Sequence, residues 1–119
     1  INILFFLIIV IGFSCTDNDG FRKIITSTKD SNVLLLNVSD EELYYFIVER
    51  ATSASILWAP SVNDEARKIA PGETIIIPLN DVFGYENGDK ELLLFYWESV
   101  MFGGEKIVGE LENEIIVLQ

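Results

Sequence analysis

The chain has 119 residues, with 19 Asp or Glu against 8 Lys or Arg, no His and one Cys, so its formal net charge is −11. Without His there is no imidazole base, no Ser-His-Asp triad and no His-ligated metal, and one Cys forms neither an internal disulfide nor a thiolate zinc cage. So acidic a chain repels phosphate backbones, so nucleic acid is not an expected partner, and the length allows one small domain.

Residues 3–13 form an 11-residue run without a polar side chain, followed by Ser14 and the lone Cys15. A spanning helix needs about 20 apolar residues, whereas the core of a signal peptide needs about 7–15. Every charged residue lies after Cys15, beginning with Asp17 and Asp19. An apolar run, a small residue and then a lone Cys resembles the lipobox of bacterial lipoprotein signal peptides. Gly12 and Phe13 depart from the usual Leu and small residue of that motif. The resemblance implies cleavage before Cys15, a thioether-linked diacylglycerol and a fatty acyl chain such as palmitate on Cys15. It thus implies a bilayer as partner. A buried strand or core helix with an incidental free Cys is the structural alternative. The expected organisation is a signal segment at 1–14, a lipid-anchored acidic tether at 15–31 and one folded domain at 32–119. With neither Met nor basic residues before the apolar run, the chain is expected to start inside its leader.

Beyond the tether, which leads into a first short strand, apolar runs alternate with turn residues at all-β spacing. Strands are expected at 33–38 and 43–50, separated by an acidic turn at 39–42. The Ser39-x-x-Glu42 spacing also fits a helix capping box, but the aromatic and β-branched content of 44–48 favours a strand. Residues 51–54 read as a loop, 55–59 as a short strand carrying Trp58, 60–67 as a loop and 68–70 as a brief pairing. Pro71-Gly72 fits the central positions of a turn. A strand follows at 73–79, with Pro78 marking an edge or an end. A connection at 80–84 and an Asn87-Gly88 turn precede a long strand at 90–100. Gly103-Gly104 suits a two-residue hairpin loop, with return segments at 105–110 and 114–118.

About seven short strands and almost no helix predict an all-β fold, a single immunoglobulin-like β-sandwich; a small barrel is the alternative. The Asn37-Val38-Ser39-Asp40 run, the Ala70-Pro71-Gly72-Glu73 run and the Tyr96-Trp97 strand resemble small uncharacterised immunoglobulin-like lipoproteins of the Bacteroidetes. That resemblance implies fold and location at the outer membrane, on its periplasmic or outer surface. It implies no chemistry.

Two strands are apolar on both faces: Leu92, Leu94 and Tyr96 alternate with Leu93, Phe95 and Trp97, and 43–48 behaves alike. A sheet with one solvated face alternates apolar and polar residues, so loops, the tether or another molecule must cover the second face. Trp58 and Trp97 are expected in the core. Alternatively, Trp58, Tyr96 and Trp97 contact an envelope protein complex or stack on glycan rings. Glu110, Glu112 and Glu114 alternate and share a face, which suits a solvated edge or, alternatively, calcium. Nothing singles out a catalytic pair among the acids, so a carboxylate-based hydrolase is the remotest reading. The expected function is a non-catalytic binding or structural module of the bacterial envelope, without metal or cofactor.

Overall fold

Alternation with a period of two builds nine strands among residues 22–118, the part of the chain that the computed structural model describes. The expected signal segment, Cys15 and the acidic Asp17 and Asp19 lie outside the described residues. β1 (Ile24–Lys29) and β2 (Asn32–Asn37) form a hairpin in register from Ile24 opposite Asn37 to Lys29 opposite Asn32. Its turn, Asp30 and Ser31, takes positive φ at both residues, as the right-handed twist of a two-residue loop requires. β5 (Thr74–Pro78) joins the other side of β2, so β1-β2-β5 is one sheet. The second sheet has the order β4-β3-β6-β9, from β3 (Leu43–Glu49), β4 (Lys68–Ile69), β6 (Glu91–Trp97) and β9 (Glu112–Val117). The chain changes sheet between β2 and β3, β4 and β5, and β5 and β6. Every strand pairing is antiparallel. The result is an immunoglobulin-like β-sandwich of seven strands. β7 (Ser99–Phe102) and β8 (Glu105–Val108) add a separate hairpin between β6 and β9.

The inner faces carry the core. Ile24, Val33, Leu35 and Ile77 of the first sheet meet Leu43, Tyr45, Ile47, Leu92, Leu94, Tyr96 and Ile116 of the second. Each large apolar side chain so buried contributes about 1.5–3 kcal/mol before chain entropy is counted. Among the described residues two polar side chains are buried, Asn37 and Glu49. Asn37 is fully buried; its amide donates to the carbonyls of Glu41 at 2.8 Å and Ile69 at 2.9 Å. Its side-chain oxygen accepts from the Ser39 amide at 2.9 Å and hydroxyl at 2.7 Å. Ser39 is thereby held in a turn, and no helix starts there, which settles the capping-box alternative for 39–42.

Other boundaries differ from expectation. β1 lies inside the stretch assigned to the tether, so the sandwich begins before residue 32. Residues 55–59 form no strand; they cross the outside of the second sheet. The expected long strand at 90–100 ends at Trp97, and Glu98 separates it from the hairpin. A one-turn helix, α1 (Arg50–Ser53), replaces part of the 51–54 loop. Its cap is the carboxylate of Glu49, which accepts from the amides of Ala51 at 3.0 Å and Thr52 at 2.8 Å. The Pro71-Gly72 turn is as expected: Glu73 N–H donates to Ala70 O at 3.0 Å around it, with Gly72 at φ 77°. Pro78 ends β5 at the edge of its sheet, where no ladder bond is lost.

The register also defines two poles. The start of β1, the end of β2, the starts of β3, β5 and β9 and the ends of β4 and β6 lie together. At this pole the described chain enters, and here lie the connections 38–42, 70–73 and 98–111. Val38 N–H donates to Lys23 O at 2.9 Å, and the Lys23 ammonium reaches Glu98 across the sheets at 2.7 Å. The β1–β2 turn, α1 and residues 79–90 lie at the other pole.

Candidate interaction surface

Because β3 and β6 are apolar on both faces, one set of side chains is left outside the sandwich. Register pairs Tyr44 with Trp97, Phe46 with Phe95 and Val48 with Leu93 on that outer face. The segment 54–67 folds over them. The Trp58 ring lies 4.7 Å from Phe46, 4.7 Å from Phe95 and 5.9 Å from Trp97 between centroids. Tyr44 and Trp97 stack at 6.2 Å with an interplanar angle of 8°. The backbone of the flap closes the arrangement: Ser61 O accepts from the Trp97 indole at 2.9 Å, and Val62 O faces the Tyr44 hydroxyl at 3.5 Å. Asn63 stiffens the flap by accepting from the amides of Glu65 and Ala66. The loop expected to cover the second face is therefore the loop that follows β3.

The three aromatics singled out from sequence separate. Trp58 and Trp97 come together, but outside the inter-sheet core in which they were expected. Strand alternation turns Trp97 away from its neighbour Tyr96, whose ring is in the core. Burial, with Glu112 and Glu114 nearby, pushes the Tyr96 hydroxyl above its ordinary pKa. Trp97 is 3% exposed and Trp58 is half-buried. Beside them runs an open cleft of about 280 Å³, bordered by Phe46, Trp58, Asn63, Glu65, Arg67 and Trp97.

The alternating acids have a different fate from a calcium site. Glu112 and Glu114 share the inward face of β9, while Glu110 precedes the strand and is exposed. Glu114 accepts from the Thr26 hydroxyl at 3.1 Å and stands 3.7 Å from Arg22, bridging the two sheets. Among the described residues, no group of three or more His, Cys, Asp or Glu side chains converges as metal ligands.

Sequence reasoning did not identify an acid pair at the chain-entry pole. A hydrogen bond with Glu98 raises the Glu41 carboxyl above its ordinary pKa. The same bond, with the Lys23 ammonium, holds Glu98 below it. Two carboxyls sharing one proton beside a cation behave this way. Glu41 precedes β3 and Glu98 follows β6, so the pairing of those two strands, distant in sequence, brings them together.

The second unforeseen feature is the exposure of the β7–β8 hairpin. Gly103 and Gly104 have φ of 61° and 84°, the pair of left-handed conformations of a type I′ turn. Immediately before them Met101 is 67% and Phe102 74% exposed, and Val100 and Ile107 are exposed behind. The signal in the sequence was the run Val100-Met101-Phe102 against a Gly-Gly turn, too short to bury both of its faces. Compared with known proteins, the chain matches no family model, no curated protein and no solved structure.

Proposed function

We propose that the protein is a non-catalytic lipoprotein of the bacterial cell envelope, held at the outer membrane through lipidated Cys15 and presenting an immunoglobulin-like binding domain. The observation that carries the reading is the abrupt boundary at Cys15, with an 11-residue apolar run before it and all 27 charged residues after it. Labelling cells with a fatty-acid analogue tests the anchor. The parent chain incorporates label and sediments with membranes, whereas Cys15→Ala does neither. Unchanged labelling of the variant would overturn the reading.

A second reading rests on the cleft beside Trp58. An aromatic ring flanked by Asn63, Glu65 and Arg67 is a combination that stacks on a sugar and hydrogen-bonds its hydroxyls. A glycan array distinguishes the two: binding lost in Arg67→Ala, with the fold intact, selects the glycan module.

A further inference from the structure

The exposed apolar side chains of the domain are not spread evenly. Twelve large hydrophobic residues among the described ones are exposed, and six of them, Val38, Val100, Met101, Phe102, Ile107 and Leu111, belong to two connections at the chain-entry pole. Met101 and Phe102, the most exposed of the six, sit next to a glycine turn. The first described residues are tied to the same place. The Lys23 ammonium holds Glu98, the residue from which the hairpin departs, and the Lys23 carbonyl holds Val38.

From these observations we infer that the β7–β8 hairpin is a second membrane contact, with Met101 and Phe102 dipping into the surface of a zwitterionic bilayer beside the lipidated Cys15. The inference rests on the lipoprotein reading above. Seven peptide links separate Cys15 from Arg22, a span of at most about 25 Å when fully extended. A leash so short keeps the pole from which it issues turned toward the bilayer. A hairpin strand of four residues is about 13 Å long. That length is within the reach of the leash, so the tip can meet the surface that holds the lipid. Charge selects the surface. Asp40, Glu41, Glu42 and Glu105 stand at this pole against Lys23 and Lys106, so anionic headgroups are repelled and zwitterionic ones are not.

The test uses the full lipidated chain, expressed in bacteria and reconstituted into phosphatidylcholine vesicles whose acyl chains carry a nitroxide quencher. Phe102→Trp adds a reporter at the hairpin, and Phe83→Trp adds one at an exposed site of the opposite pole. Emission is read against the parent, which contains Trp58 and Trp97. The expected result is about twofold stronger quenching of the Phe102→Trp reporter, with the Phe83→Trp reporter unquenched. If fatty-acid labelling proves Cys15 lipidated and neither reporter is quenched, the hairpin inference is overturned and the lipoprotein reading survives. Equal quenching of both reporters also overturns it, because the domain then has no preferred pole. If Cys15 carries no lipid, the underlying reading fails and the inference falls with it.

Discussion

At the scale of single residues, Asn37 carries the most structure. One amide joins the end of β2 to the 38–42 turn and to β4 in the other sheet. Replacing it by Leu leaves the Glu41 and Ile69 carbonyls and the Ser39 amide without their partner. Leaving buried polar groups unpaired costs about 1–3 kcal/mol, so Asn37→Leu should lower the urea midpoint by a corresponding amount with the slope unchanged. Glu49 is a different case. The Ala51 amide, then the Thr52 hydroxyl and amide, hold its carboxyl below the usual 4.5. The folded value lies below the unfolded one, so the contribution is complete above about pH 4.5 and fades as pH falls through the folded value. Thermal melts of Glu49→Gln should therefore show a shallower loss of stability on acidification than the parent. Glu41 and Glu98 are poor probes of this effect, because one is raised and the other lowered.

At the scale of elements, the flap at 54–67 is the most vulnerable piece, because Trp58 is its main hold on the sheet. Trp58→Ala removes a half-buried ring and should cost about 2 kcal/mol, less than a fully buried Trp. Partial proteolysis reads the local effect: cleavage after Arg67 should quicken before the sandwich itself unfolds. How much of this was legible follows from which interactions are local. Apolar residues on both faces of 92–97 announced a covered sheet, and Pro71-Gly72 and Gly103-Gly104 announced their turns through backbone requirements of their own. Trp58 was misread as part of a strand because Ile56, Leu57 and Trp58 have strand-like composition. What organises them is ring contact with Phe46 and Phe95, distant in sequence. The Glu41–Glu98 pair was invisible for the same reason, whereas the Glu49 cap is local and went unseen because Glu is not among the residues that usually cap a helix. The hairpin was foreseen as a turn, but its exposure depends on Glu98 ending β6, a tertiary outcome.

At the scale of the whole molecule, charge opposes compaction. With a net charge of −11, the folded state holds like charges closer together than the unfolded chain does. Raising salt from about 10 mM to about 150 mM shrinks the screening length from about 30 Å to about 8 Å and should raise the melting temperature by a few degrees. The cross-sheet pairs, Lys23 with Glu98 and Arg22 with Glu114, oppose that trend only weakly, since surface pairs contribute about 0–1 kcal/mol each. Both pairs flank the start of β1, and β1 has a mechanical consequence. It is an edge strand bonded to β2 in register over its whole length, and the chain enters it from the pole. Tension pulling residue 22 away from that pole runs parallel to β1 and perpendicular to its ladder bonds. The load is then shared by the full set in shear, not spent on one bond at a time as in peeling. In a force spectrometer gripping residue 22 and the far pole, the domain should rupture in a single high-force event.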